Sequence, residues 1–153
     1  MEPVIALHGL TKRYGSNEVL RGLDLDVPAG VCFGVLGPNG AGKTTTLRAL
    51  LGQSPVDAGT IRVFGLPIPE QGRAVRARCG VVPQADNLDP DFTVIENLRV
   101  YARYFGLPRA EVETRVRELL AFVELTDRAN TPIATLSGGM KRRLTIARAL
   151  IND

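Results

Sequence analysis

The nine residues 37–45, GPNGAGKTT, constrain this chain more than any other stretch. Gly37, Gly40 and Gly42 let the backbone take φ values closed to other residues, so that successive N–H groups converge on one anion. Lys43 and Thr44 complete the pattern G-x-x-x-x-G-K-[ST], in which the lysine serves the β and γ phosphates and the hydroxyl serves a magnesium ion. Pro38, Asn39, Ala41 and Thr45 belong to the same cradle. The apolar run VCFGVL, residues 31–36, reads as a fully buried strand, and TTLRALL, residues 45–51, reads as a helix. Strand, loop and helix in that order are the context that supports the motif. The helix start adds its orphan N–H groups and the positive end of its dipole. A nucleoside triphosphate site is the expectation.

With 153 residues and 44% hydrophobic content the chain is long enough for one domain with a real core. The net charge of +3 is small, and the arginines are scattered through predicted helices. They read as solvated helix faces, with no nucleic-acid surface. Cys32 lies in the buried strand and Cys79 beside another apolar strand, both as small core residues, which fits a reducing, cytosolic setting. Nothing near the N-terminus resembles a signal peptide, and no apolar run approaches the roughly 18 residues needed to cross a bilayer. A membrane role therefore comes through a partner.

Residues 4–14 alternate in part and residues 18–27 more cleanly, through Val19, Leu20, Leu23, Leu25 and Val27; they read as antiparallel strands joined by the turn at 15–17. Tyr14 ends the first strand, where an aromatic either stacks on a nucleotide base or pads the sheet; position alone favours padding. His8, the only histidine, reads as structural. Residues 60–64 form a short strand closed by Gly65, and 70–78 a helix. Residues 80–84, GVVPQ, read as a buried strand stopping at Pro83, which leaves Gln84 at a strand end where its side-chain carbonyl reaches a metal or a water.

The character changes after the acidic turn-forming segment 86–91. Ile95, Leu98, Ala102 and Phe105, then Val112, Val116, Leu119, Leu120 and Val123, mark two amphipathic helices split by Gly106-Leu107-Pro108. Tyr101, Tyr104 and Phe105 offer core packing or, as the minority reading, a docking patch. Leu136-Ser-Gly-Gly-Met140 leads into a last helix with Met140, Leu144, Ala147 and Ile151 on one face and Lys141, Arg142, Arg143 and Arg148 on the other. Ser137 is a good N-cap. A cap needs one small polar residue, however, and Gly138 and Gly139 strip side chains from where N–H groups point outward, as a close phosphate approach requires.

These motifs resemble the ATP-binding subunits of ABC transporters over the whole chain and in the right order. GPNGAGKTT matches the Walker A loop, VVPQ ending at Gln84 is similar to the Q-loop, and LSGGM matches the family signature. Tyr14 matches the aromatic that stacks on adenine. The resemblance implies an α/β fold: a P-loop NTPase (ABC ATPase) core with an N-terminal antiparallel β subdomain and an inserted α-helical subdomain, residues 1–84 and 85–153 of a single incomplete domain. It implies ATP and magnesium as cofactors, the metal served by Thr44 and Gln84. It further implies that Lys43, Gln84 and Ser137 act in hydrolysis, with Ser137, Gly138 and Gly139 closing in trans over the γ-phosphate of a second ATP-binding subunit in a head-to-tail dimer. It implies a membrane-spanning permease partner that turns closing and opening into transport, with this subunit cytoplasmic and peripheral on the cytoplasmic face of the bacterial inner membrane. VVPQADNLDPDFTVIENL and LSGGMKRRLTIARALIND are most similar to exporters of the nodulation-factor and daunorubicin-resistance group, implying a lipo-chitin oligosaccharide or drug cargo.

The family's Walker B aspartate, adjacent catalytic glutamate and switch histidine have no match here; neither Glu96 nor His8 fits those motifs. The chain reads as an N-terminal fragment of a longer subunit, inactive in hydrolysis by itself. A non-hydrolysing nucleotide-binding module and a soluble, non-transport ABC-type ATPase stay open as alternatives.

Overall fold

Alternating apolar residues flanking a tight turn produce a hairpin of β1 (Ile5–Tyr14) and β2 (Asn17–Val27), in which Tyr14 faces Asn17 and Ile5 faces Val27. The alternation of β1 is partial because the register shifts between Leu7 and Leu10, around Gly9. β3 (Ala58–Val63) pairs with the other edge of β1, and β4 (Leu66–Ile68) pairs with β3, so the antiparallel sheet runs β2-β1-β3-β4. The computed structural model describes residues 2–85 and 87–152; Asp86, which heads the acidic segment, and Asp153 lie outside the described residues.

Two units make up the chain, Met1–Arg76 and Ala77–Asp153. In the first, α1 (Lys43–Leu50) buries Thr46, Ala49 and Leu50, and the sheet buries Leu7, Leu10, Ile61 and Val63. The short α2 (Gly72–Ala77) buries Val75. β4 escaped the sequence reading because it is only three residues long and contains Pro67, a residue confined to sheet edges.

Among its described residues the second unit holds three helices, α3 (Val94–Tyr104), α4 (Arg109–Phe122) and α5 (Gly138–Ala149), with single turns at Thr126–Arg128 and Ile133–Thr135. α3 starts at a full capping box: the Glu96 carboxylate accepts from the Thr93 N–H at 2.8 Å, and the Thr93 hydroxyl accepts from the Glu96 N–H at 3.4 Å. It stops at Phe105 before Gly106, whose φ of 72° no other residue adopts cheaply. The predicted stripes are buried: Leu98, Ala102, Val116, Leu119, Leu120, Leu144, Ala147 and Ile151 form one core with Val94 and Ile133. Each leucine so buried contributes about 1.5–3 kcal/mol.

Four expectations fail. Residues 31–36 and 80–84 carry no ladder, and Leu36 is 95% exposed. A strand exists only where a neighbour takes up its N–H and C=O groups, and no described residue pairs with either run. Cys32 is therefore exposed, while Cys79 is half-buried; burial pushes the Cys79 thiol up. Arg148 does not belong to the solvated face of α5: it is 4% exposed, beneath the ring of Tyr101. That ring is partly buried in the core, so only Tyr104 of the aromatic trio stays open. His8 is exposed, its Nε2 4.0 Å from the Asp26 carboxylate.

Candidate functional site

The P-loop is held at both ends by the first unit. Thr46 donates its hydroxyl to the Gly42 carbonyl at 3.0 Å, and the Ala41 N–H bonds to the Pro38 carbonyl at 3.2 Å, closing the turn. Gly42 is the N-cap of α1 at φ 86°, and a Cβ there would lie 2.8 Å from Leu20 Cδ2 and 3.0 Å from the Val19 carbonyl oxygen. Glycine is obligatory on both counts. No side chain caps α1 and its first turn holds no acidic residue, so its orphan N–H groups face the loop unspent.

Lys43 turns back into this cradle. Its Nζ donates to the carbonyls of Gly37 at 2.6 Å and Pro38 at 2.7 Å. An ammonium group parked on main-chain carbonyls exchanges them for phosphate oxygens at little cost, because the stronger charge-assisted bond replaces a weaker one. Thr44, one residue into α1, is exposed. A hydroxyl ligand suits magnesium, which keeps several waters and takes phosphate oxygens for the rest. The described residues hold no group of three or more His, Cys, Asp or Glu that could hold a metal ion.

Tyr14 comes to the same place. Its hydroxyl lies 3.3 Å from Ser54 Oγ. That hydroxyl, joined by Thr45 and the positive charges of Lys12 and Arg48, holds the phenol below its ordinary pKa. Lys12 Nζ sits 5.4 Å from the ring centroid, on one side of it. The strand end is pinned by Asp57, which accepts from the Arg13 N–H at 2.6 Å and from Lys12 Nζ at 3.1 Å. The Arg13 N–H, with Lys12, draws the Asp57 carboxyl below the usual range. Sequence reasoning missed Ser54 and Asp57: each lies some forty residues from its partner, and a lone serine or aspartate in a turn-rich link carries no periodic signal.

In the second unit, Ser137 caps α5, its hydroxyl accepting from the Met140 N–H at 3.3 Å. Gly138 and Gly139 are exposed, and a Cβ on either would meet nothing within 4 Å. Their absent side chains leave open space above the first turn. Gln84 is exposed too, between Pro83, whose carbonyl accepts from Arg142 at 2.5 Å, and Asn87, whose carbonyl accepts from Arg148 at 3.0 Å. Tyr14 and the P-loop are thus gathered in one unit, Gln84 and the Ser137 tip in the other.

A family model described as ABC transporter matches residues 20–153. The chain is 57% identical over 99% of its length to Nod factor export ATP-binding protein I of Ralstonia nicotianae, covering 47% of that relative. It is 56% identical over 100% of its length to the same-named protein of Cupriavidus metallidurans, covering 50%. A solved ATP binding subunit of an ABC transporter superposes with a TM-score of 0.86 at 29% identity, over 97% of this chain and 62% of that one. The cbiO1 protein of Clostridium perfringens, described as part of the ABC transporter complex cbiONQ, gives 0.88 at 25% identity, over 99% and 62%. The chain spans about half the length of the curated relatives it matches.

Proposed function

The chain belongs to the ABC transporter family, and from that premise we propose that it is the ATP-binding portion of an exporter subunit. The observation that carries this is the start of α1: an uncapped helix without acid in its first turn, entered through Gly42 at φ 86°, with the Lys43 ammonium folded over the loop. Such a start attracts a dense anion and little else. Gly37 to Thr45 wrap the phosphates, Lys43 neutralises the β and γ groups, and Thr44 and Gln84 serve the metal. Magnesium, when bound, offsets charge building on the transferred phosphoryl group. Adenine stacks on the face of Tyr14 that Lys12 leaves free.

Phosphoryl transfer needs positioning and charge neutralisation more than covalent chemistry. The Ser137-Gly138-Gly139 tip supplies both in trans, closing over the γ-phosphate held by a second subunit. Closing and opening drive a membrane-spanning permease from the cytoplasmic face. No described helix is long and apolar enough to cross a membrane. The relatives' names, Nod factor export ATP-binding protein I, support export; the cargo proposed is a lipo-chitin oligosaccharide, with a drug as the alternative. Sedimentation of the chain with magnesium-ATP, magnesium-ADP and neither tests the shared site: ATP should produce a dimer that Ser137→Ala weakens. Equal behaviour with ATP and ADP would overturn it.

A further inference from the structure

The corner between α3 and α4 holds more positive charge than it uses. Gly106 at φ 72° turns the chain there, and Pro108 leads into α4. Arg99 and Arg103 stand four residues apart on α3, one above the other on a single face, and Arg109 opens α4. With Leu107, Val112 and Glu113 these three arginines line an open cavity of about 520 Å³ within the second unit. That volume falls in the ordinary range of binding clefts, ~300–1,000 Å³.

Arg99 shows what the corner accepts. Its Nε and Nη2 donate to the two carboxylate oxygens of Glu113 at 2.8 and 2.7 Å, a bidentate fork. That bond, with the charge of Arg99, holds the Glu113 carboxyl below its usual range. Arg103 and Arg109 are exposed, and among the described residues neither makes an ion pair. One carboxylate thus answers three guanidiniums, and two forks stay open to an incoming acid. The rest of the lining is apolar, with Leu107 half-buried and Val112 buried. A flat sheet of phosphate headgroups meets the rim of such a concavity and leaves its apolar wall wet. An acidic peptide covers that wall with an apolar side chain and sets carboxylates beside it.

We propose that the α3–α4 corner is a docking groove for an acidic peptide segment of a partner protein, with Arg103 and Arg109 each taking a carboxylate and Leu107 meeting an apolar side chain between them. The groove lies in one unit and is built without the nucleotide cradle, so it stands or falls separately from the function proposed above.

Fluorescence anisotropy of the chain with a dye-labelled peptide, Glu-Leu-Asp-Glu-Leu-Asp, tests the groove. The peptide should bind, more weakly as salt rises from about 0.01 to 0.15 M, and its counterpart with lysine at every acidic position should not. Alanine in place of the peptide's leucines should weaken binding. Arg103→Gln combined with Arg109→Gln should lower affinity about fivefold, the scale for two solvent-exposed ion pairs. Arg73→Gln with Arg128→Gln removes the same charge from exposed positions elsewhere and should leave affinity unchanged. No binding of the acidic peptide, equal binding of its lysine counterpart, or an equal loss in both double variants would each overturn the proposal. So would sedimentation with phosphatidylglycerol vesicles that depends on Arg103 and Arg109 while the peptide fails to bind, which would assign the corner to a membrane surface instead.

Discussion

The starts of α1 and α3 solve one problem in opposite ways. Every helix begins with N–H groups that lack intrahelical partners. α3 spends them internally: Thr93 and Glu96 bond each other's backbone at 2.8 and 3.4 Å, and a carboxylate stands where an approaching anion would be repelled. α1 leaves them free behind a glycine, with a lysine in place of the acid. Residues that stabilise a helix start and residues that let it bind phosphate are therefore nearly exclusive. α5 lies between, with a serine cap satisfying one N–H and no acid in the first turn.

The largest expected break falls at α1. Lys43→Ala should weaken magnesium-ATP binding by about 2–4 kcal/mol, the range for a charged hydrogen bond to an anion. Isothermal titration measures it, and unchanged affinity would remove the cradle from consideration. Gly42→Ala strikes the same start through the backbone. A φ of 86° and a contact at 2.8 Å with Leu20 oblige Val19, Leu20 or the loop to shift. A loss of about 1–3 kcal/mol in stability is expected from the denaturant midpoint of the first unit, with ATP affinity falling alongside.

At α3 and α5 the effects on the separate chain should be smaller and confined to stability, with Ser137→Ala acting on the ATP-dependent dimer besides. Thr93→Ala removes one half of the box and Ser137→Ala the only cap on α5, each costing about 1 kcal/mol in the helical unit. Neither should alter ATP affinity of the separate chain. A binding defect in Thr93→Ala would mean that the two kinds of helix start are not functionally distinct after all.

Sequence carried the helix starts further than the sheet. Ser137 and the P-loop glycines are local signals, readable because cap and helix are neighbours in the chain, whereas the equally local box Thr93-x-x-Glu96 escaped the sequence reading. The periodic stripes of α3, α4 and α5 were legible for the same reason, with Arg148 the exception: charge alone placed it outside, and only a ring 47 positions earlier explains its burial. Residues 31–36 and 80–84 have the composition of buried strands, but pairing is a property of two segments, and composition reports one. The site shows the same division. Lys43 and Thr44 announce themselves, while Asp57 and Ser54 act on the end of β1 from across the sheet.

The smallest effect is electrostatic and separates the two starts by pH. The Thr93 hydroxyl, followed by its N–H, draws the Glu96 carboxyl below the ordinary range, with Arg99 adding to the pull. A depressed folded value means that Glu96 stabilises α3 at pH above the unfolded carboxylate value of about 4.3 and ceases to do so as pH falls through the lower folded one. Glu96→Gln keeps a side chain able to accept from the Thr93 N–H but cannot titrate. Its deficit relative to the natural chain should therefore be present at neutral pH and vanish in acid. Glu113, lowered by Arg99, and Asp57 titrate in the same window, so the difference between the two chains isolates Glu96 where the absolute curve does not. α1 has no acid in its first turn and contributes nothing to that difference. A deficit that persists unchanged to low pH would show that the capping bond, not the charge, is what distinguishes α3 from α1.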